Sequence, residues 1–375
     1  MWSPFLRGTV VALTLLAFLA MRAGEPGYAS YPGINGRIAF MSTRDLIGPT
    51  FDAEIYSMNP DGTDKRRLTN SAGLDDSPAW SPDGTRIAFA RGAGPQRDLY
   101  TMNADGTDIV RLTNDAAVES DPAWSPDGTK LAFGRSVMGA SYFTPPPQGV
   151  DAEIFVMNIQ TGETVQLTDN NVEDGNPAWS PNGKEIAFRS GGAIELMESD
   201  GTDQRPLATG MKSSTPDWSP DGARIVFSGG GGFQTDLYVV DTNGTQTTAL
   251  THDHGANYHP SWSPDGKQIA FEKSFFEIWV IDADGSNPSR LTEAPSTINN
   301  AYPNWQRLAA VPSGTVQPET TPAITPSPGS LPFSGGTPGA TPTSSSMPWR
   351  LLALGLLCGA GVAVAHRFLG VGQRN

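Results

Sequence analysis

Three of the four histidines of this 375-residue chain stand in one short loop. They are His252, His254 and His259, in the segment THDHGANYH. Neutral imidazoles grouped in this way can bind zinc or manganese. The segment therefore defines a candidate divalent-metal site. Structural or incidental histidines are the simpler interpretation, because no further ligand can be placed from the sequence.

Carboxylates and aromatic residues collect shortly before several of the tryptophans. Clustered carboxylates focus a negative potential, which can steer a cationic segment or hold a metal ion. The alternative is solvated charge, partly paired with Arg91, Arg135 and Arg189. The candidate binding residues from these segments are Asp75, Asp76, Glu119, Asp121, Asp174, His259 and Tyr302.

A second group of candidates lies in a long segment with three consecutive prolines. Tyr142 and Phe143 stand just before Pro145-Pro146-Pro147. Exposed aromatic residues in such a loop favour contact with a protein or a glycan. A loop folded onto its own neighbourhood is the alternative.

Other catalytic signatures are absent from the sequence. The single cysteine, Cys358, lies in an apolar stretch near the end of the chain, so intrachain disulfides, thiolate metal sites and a cysteine nucleophile are excluded. The chain has no Gly-x-Ser-x-Gly elbow and no P-loop. These observations favour a protein that is not an enzyme.

The elements that must position these residues are internal repeats. A Pro-x-Trp unit occurs six times, and each of the first five continues as Ser-Pro-Asp-Gly or, once, Ser-Pro-Asn-Gly. An apolar triplet such as Ile87-Ala88-Phe89 and an alternating segment such as Asp98–Met102 also recur six times, and each repeat closes with a short Leu-Thr unit, which at Leu207 is Leu-Ala-Thr. The six tryptophans are Trp80, Trp124, Trp179, Trp218, Trp262 and Trp305.

Each repeat therefore predicts four short strands, which we name a (Trp), b (triplet), c (alternating) and d (Leu-Thr). Four strands in 40–45 residues are typical of a propeller blade. The chain starts at a strand b, Ile38-Ala39-Phe40, and its last repeat unit is a strand a, Pro303–Trp305. We predict an all-β, six-bladed β-propeller of four-stranded antiparallel blades, with the C-terminal Trp strand completing the N-terminal blade. Such closure removes free sheet edges.

Strand direction sorts the connections onto two faces. The a–b and c–d turns, with their Asp-Gly pairs, share one face, which we call the turn face. The longer b–c and d–a connections share the other, the loop face, which is the predicted binding face. Because each d–a loop runs into the innermost strand, its last residues should ring the mouth of the channel.

The repeats carry a family resemblance. Trp80–Phe89 (WSPDGTRIAF) and Leu99–Thr107 (LYTMNADGT) resemble the repeats of TolB-like (WD-like) β-propellers, over about 270 residues. The resemblance implies the propeller fold. It also implies action through protein partners in the cell envelope. Some propeller polysaccharide lyases of similar repeat type use a metal held by histidines, and this chain matches only their His-x-His element.

The two ends differ in composition from the repeats. Residues 1–29 resemble a signal peptide, either cleaved or retained as an anchor. The propeller is predicted over 33–308, and 309–348 is a Pro/Thr/Ser-rich stalk that cannot bury a core. Residues 349–368 form a predicted C-terminal transmembrane anchor with a short basic tail, and Leu331–Gly335 resembles a sortase motif.

Charge and composition narrow the range of possible functions and folds. A net charge of −14 argues against nucleic-acid binding, and 42 Gly with 32 Pro favour strands and turns over helices. We predict an exported, surface-anchored, non-enzymatic scaffold without a cofactor, whose partner is a protein segment or an envelope glycan. The alternatives are a metal-dependent, lyase-like enzyme using His252, His254 and His259, and a structural surface-layer component.

Overall fold

The computed structural model describes residues 33–45, 52–93, 96–136, 151–208, 211–231, 234–253, 255–293 and 298–308. All regular structure in these ranges is β-strand, as the sequence predicts. Within them, no helix is long and apolar enough to cross a membrane. The predicted signal peptide, stalk and anchor lie outside the described residues.

The strands pair into four-stranded antiparallel units, which we number as blades 1 to 6 in chain order. Blades 2 and 3 are counted in one larger sheet because a single parallel pair, Arg97 with Val118, joins them. The strands of blades 1 to 3 are β1 (Ile34–Ser42), β2 (Glu54–Met58), β3 (Arg66–Arg67), β4 (Leu74–Trp80), β5 (Arg86–Ala93), β6 (Gln96–Asn103), β7 (Val110–Arg111), β8 (Val118–Trp124), β9 (Lys130–Ser136), β10 (Ala152–Asn158) and β11 (Thr164–Gln166), together with the last strand, β24 (Asn300–Leu308). Those of blades 4 to 6 are β12 (Asp174–Trp179), β13 (Glu185–Ser190), β14 (Ala193–Glu198), β15 (Arg205–Ala208), β16 (Ser213–Trp218), β17 (Arg224–Gly231), β18 (Gln234–Asp241), β19 (Thr247–Ala249), β20 (Asn257–Trp262), β21 (Gln268–Lys273), β22 (Glu277–Asp282) and β23 (Ser289–Arg290).

The blades form a closed ring. The innermost strands β4, β8, β12, β16, β20 and β24 contact one another in that order, and β24 also contacts β4. Blade 1 has the strand order β24-β1-β2-β3, so the last strand completes the first blade as predicted. Strand β24 pairs with β1 from Ile34–Leu308 to Ser42–Asn300.

The core consists of the strand-b triplets and the tryptophans. The six strand-b phenylalanines are almost fully buried, and burial of one such side chain contributes roughly 1.5–3 kcal/mol. Trp80 packs with Ala39 and Ile55 of blade 1 and with Ile87 of blade 2. The tryptophans thus fill the junctions between blades, where neither neighbour alone could bury its face.

The turns explain the repeated Ser-Pro-Asp-Gly motif. In blade 2 the Ser81 hydroxyl accepts the Arg86 amide at 2.9 Å, and Asp83 accepts the Thr85 amide at 3.0 Å. Gly84 has φ +70°, and a Cβ there would lie 2.2 Å from the Arg307 carbonyl oxygen of β24. Glycine is therefore required both by the backbone conformation and by the approach of the neighbouring blade.

At the ring closure, Gln306 replaces the serine of this motif. There is no covalent turn between β24 and β1. Instead the Gln306 Oε1 accepts the Arg37 amide at 2.9 Å, and its Nε2 donates to the Gly84 carbonyl at 2.8 Å. The long amide side chain thus makes the bond to strand b that the serine makes elsewhere, and adds one to blade 2.

Candidate functional site

A cavity of about 270 Å³ lies along the axis of the ring. Among the residues that line it, we distinguish three from each blade by their order along the innermost strand and the turn after it, and we call these levels the mouth, the waist and the floor. The mouth ring is Ser77, Asp121, Asn176, Thr215, His259 and Tyr302. The waist ring is Ala79, Ala123, Ala178, Asp217, Ser261 and Asn304, and the floor ring is Pro82, Pro126, Pro181, Pro220, Pro264 and Arg307.

The mouth ring is held by a repeated backbone irregularity. All six residues have positive φ values, between 48° and 54°, although none is glycine. The register between strands a and b shifts at this point, as between Asp76 and Ala79 in blade 2. Such bulges redirect a side chain, and non-glycine residues in this conformation concentrate at functional sites. The structure thus brings together the six residues that the sequence placed three positions before each tryptophan.

An aromatic group occupies one side of the mouth. The rings of His259 and Tyr302 lie 4.0 Å apart between centroids, and Tyr258 packs 5.2 Å from Phe275. The His259 Nδ1 is 2.8 Å from a Glu272 carboxylate oxygen, which is buried. This contact fixes the imidazole of His259, which lines the cavity. Blades 6 and 1 therefore present an aromatic surface that borders a carboxylate.

Asp121 lies on blade 3, three positions around the ring from blade 6 and so on the opposite wall. Its carboxylate accepts a hydrogen bond from the Ser77 hydroxyl at 3.1 Å. The mouth thus carries a carboxylate on one wall and the His259–Tyr302 pair on the other. This arrangement can receive a ligand that has both a polar or cationic part and an apolar part.

The other predicted mouth carboxylates are not at the mouth, which corrects the sequence prediction. Asp75, Glu119 and Asp174 are fully buried, Asp76 is nearly so, and none of the four lines the cavity. Simple strand alternation would place residues three and five positions before the tryptophan on the same side. The bulge at the mouth residue breaks that alternation and turns the earlier residues into the blades.

Each buried carboxylate has a specific environment. Asp75 makes a bidentate pair with Arg91 at 2.6 and 2.7 Å, and Asp76 pairs with Arg97. The Asp174 carboxylate accepts a hydrogen bond from the side-chain amide of Asn170 at 2.8 Å.

Glu119 accepts the Thr113 hydroxyl and lies 3.8 Å from the Arg135 Nε. Burial raises the pKa of Glu119 to about 7, because the partial pairing with Arg135 does not offset desolvation. The predicted pairing of Arg91 and Arg135 with these acids is observed, and Arg189 pairs with the exposed Glu173 at 2.8 Å.

The histidine loop is only partly described. His252 is exposed, His259 lines the mouth, and His254 lies outside the described residues. Among the residues that are described, no group of three His, Cys, Asp or Glu side chains is arranged to hold a metal ion. Tyr142 and Phe143 also lie outside the described residues.

Sequence reasoning missed the waist ring. Asp217 and Asn304 occupy the central position of Pro-x-Trp, where blades 2, 3 and 4 have alanine. The Asp217 carboxylate accepts the Trp262 amide at 2.7 Å, and the Asn304 side chain accepts the Trp80 amide at 2.8 Å. Burial raises the pKa of Asp217 to about 7. The departure from alanine inside an otherwise regular motif was the signal available in the sequence.

Comparison with known proteins agrees with this architecture. The family model of the TolB β-propeller domain matches residues 36–144 and 202–307. A protein named TolB homolog from Chlorobium luteolum is 45% identical over 74 residues, 19% of this chain and 15% of that protein. An uncharacterized peptidase, YuxL, of Bacillus subtilis is 28% identical over 168 residues, 44% of this chain and 21% of that protein. The chain therefore spans about a fifth or less of the length of these relatives.

Solved structures share the fold. TolB from Acinetobacter baumannii superposes with a TM-score of 0.61 at 21% identity, covering 72% of this chain and 66% of that one. Hydrazine synthase of Kuenenia stuttgartiensis reaches 0.60 at 16% identity, covering 75% and 49%. One architecture thus occurs in proteins with different names, and it does not by itself specify an activity. Because the family model matches more than half of the sequence, the chain belongs to the TolB β-propeller family.

Proposed function

We propose that this protein is an exported, membrane-anchored scaffold that binds a segment of a partner protein at the channel mouth and performs no catalysis. The mouth ring carries the proposal. Six side chains from six blades converge there on one cavity, each held in a left-handed backbone conformation by a bulge. Conformations of this kind cost free energy, on the order of 1 kcal/mol or more each. Their repetition around one opening favours a binding role for that opening.

The chemistry of the mouth favours a polypeptide ligand. Asp121 offers a carboxylate, Asn176 and Thr215 are polar residues, and His259 with Tyr302 offers aromatic surface. A peptide segment supplies matching basic, amide and apolar groups within a few residues. The family resemblance, which implies protein partners in the envelope, supports the same choice. An envelope glycan is the other ligand class, and the experiment below distinguishes the two.

The position of the strand ends supports the anchoring part of the proposal. Strand β1 begins at Ile34 and β24 ends at Leu308, and these two residues are paired. Both ends therefore leave the propeller at the turn face. These ends lie on the face opposite the mouth, so the chain leaves the propeller without crossing the mouth.

A photo-crosslinking experiment tests binding at the mouth. Tyr302 in the full-length chain is replaced by p-benzoylphenylalanine, which is also aromatic, and cells that produce the protein are irradiated. We expect a discrete adduct of defined mass that disappears when Asp121→Lys is added. The matched control carries the crosslinker at Val165, an exposed residue of the outermost strand of blade 3.

Equal adducts at both positions, or none at Tyr302, would overturn the proposal, and a polydisperse carbohydrate-positive adduct would assign the glycan class instead.

Anchoring is tested separately by extracting membranes with alkaline carbonate. The full chain should stay in the membrane fraction, and deletion of 349–368 should release it. Release of the full chain would contradict the anchoring part of the proposal and leave the binding part unaffected.

A further inference from the structure

The channel wall divides into two arcs at the level of the waist. Blades 2, 3 and 4 contribute three alanines, whereas blades 5, 6 and 1 contribute Asp217, Ser261 and Asn304. The floor does not follow this division, because blades 2 to 6 all contribute proline and blade 1 contributes a polar residue, Arg307. At the waist the cavity thus has an apolar wall on blades 2 to 4 and a polar wall on blades 5, 6 and 1. Its polar wall contains one carboxylate at the waist.

Asp217 differs from the buried acids Asp75 and Asp76, which have basic partners, and from the buried Asp174, which does not line the cavity. Asp75 pairs with Arg91, and Asp76 pairs with Arg97. The Asp217 carboxylate accepts the Trp262 amide, but no basic side chain within the described ranges forms an ion pair with it. It also keeps part of its surface accessible from the cavity. A carboxylate in this environment is stabilised by a cation that enters from the channel.

We propose that Asp217 makes the channel waist a receptor for a compact organic cation, an ammonium or guanidinium group. The group can belong to a free amine or to a lysine or arginine side chain of a bound segment. This inference deepens the proposed function and rests on the channel being open to a ligand. The volume of about 270 Å³ accommodates a side chain of that size. The three alanines opposite would pack against the methylene groups of the ligand.

Protonation of Asp217 gives this site a pH dependence. Burial raises its pKa to about 7, so at pH 6 the carboxyl is mostly neutral and at pH 8 it is mostly ionised. An ammonium group binds the ionised form, and its affinity should therefore rise between pH 6 and pH 8. The other titratable or charged groups that line the cavity are Asp121, His259, Tyr302 and Arg307.

The test uses n-butylammonium, an analogue of the lysine side chain, with the full-length protein. Tryptophans line the cavity, so binding can be followed by intrinsic fluorescence and checked by calorimetry. We expect saturable binding at pH 8, about tenfold weaker binding at pH 6, and weaker binding of the neutral analogue n-butanol. Equal binding of butylammonium and butanol would overturn the inference.

Two waist variants keep the fold and change the charge. Asp217→Asn retains an acceptor for the Trp262 amide and should weaken butylammonium binding at least tenfold at pH 8. Asn304→Asp retains the acceptor for the Trp80 amide and adds a second carboxylate, so it should strengthen binding. Asp108→Asn is the matched control, because it removes one exposed carboxylate at the turn face and should bind like the wild type.

The outcomes separate this inference from the proposed function. Unchanged binding in both waist variants, or no butylammonium binding at all, would overturn the waist site while leaving the Tyr302 crosslinking result unaffected. Butylammonium binding without any specific crosslink at Tyr302 would support a free amine as the ligand. Competition between butylammonium and the crosslinked partner would instead assign the cation to a side chain of that partner.

Discussion

Blades 2 to 4 and blades 5, 6 and 1 share one fold but have acidic and polar residues at different positions. The first half buries acids within the blades, at Asp75, Glu119 and Asp174, and lines the channel waist with alanine. The second half has neutral residues at the same buried positions, Ser213, Asn257 and Asn300, and carries its polar groups at the waist.

This difference shows that repeated strands need not repeat chemistry. The shared positions, namely the tryptophan, the strand-b triplet and the turn glycine, fix the geometry of every blade. The buried acids of the first half bond to residues of the blades and so serve structure. The polar waist of the second half faces the cavity, and its groups are available to a ligand. We therefore place the selectivity of the waist site in blades 5, 6 and 1.

The largest expected effect tests the structural half. Arg91→Ala leaves the fully buried Asp75 carboxylate without its bidentate partner. Removing one partner of a buried pair typically costs ~3–5 kcal/mol. We expect a loss of that size in the free energy of unfolding, measured by urea denaturation at pH 7. Arg66→Ala, in which an exposed ion pair is lost, is the control and should change it by less than ~1 kcal/mol.

A pH effect should appear in both halves. The pKa values of Glu119 and Asp217 are raised to about 7 in the folded protein, so the native state holds these protons to higher pH than the unfolded chain. Their contribution to stability falls as pH rises from the ordinary carboxyl range to about 7. Relative to wild type, the free energy of unfolding of Glu119→Gln and of Asp217→Asn should each rise by about 1–3 kcal/mol between pH 4.5 and pH 8.

Urea unfolding at several pH values measures this gain. Glu163→Gln is the control, since Glu163 is exposed in the connection between β10 and β11. If the difference between one of these two variants and the wild type does not change with pH, the acid replaced in that variant has an ordinary pKa.

The waist hydrogen bonds should matter less. Asn304→Ala leaves the Trp80 amide without its acceptor at the junction of blades 1 and 2. An unsatisfied buried donor costs roughly 1–3 kcal/mol, which thermal or urea unfolding detects. Ser261→Ala at the same level of the channel is the comparison and should cost less than ~0.5 kcal/mol. Equal losses would mean that the waist is stabilised by packing and not by this bond.

The smallest effect is expected at the turns, where the two halves do not differ. Blade 4 already has Asn182 in place of the aspartate, and its Oδ1 accepts the Ser180 hydroxyl at 2.9 Å and the Lys184 amide at 3.0 Å. Asp83→Asn in blade 2 should therefore change the free energy of unfolding by less than ~0.5 kcal/mol. A loss above ~1 kcal/mol would show that the charge itself stabilises the turn.

The sequence by itself determined the architecture. Six Pro-x-Trp units, six triplets and the Asp-Gly turns have spacings that only stacked four-stranded blades can satisfy, and the position of Trp305 after the last turn predicts the ring closure. It also placed Asp121, His259 and Tyr302 at the mouth, because counting back from each tryptophan follows the innermost strand. These features depend on local periodicity and turn chemistry, which a sequence states directly.

Only the tertiary structure decided which carboxylates face the channel. The bulge at each mouth residue reverses the side-chain alternation, so Asp75, Glu119 and Asp174 enter the blades although their spacing places them beside Asp121. The waist also emerged only from the closed ring, because Asp217, Ser261 and Asn304 are more than 40 residues apart in sequence and meet only around the axis. Side-chain direction and convergence depend on backbone geometry and ring closure, which periodicity does not encode.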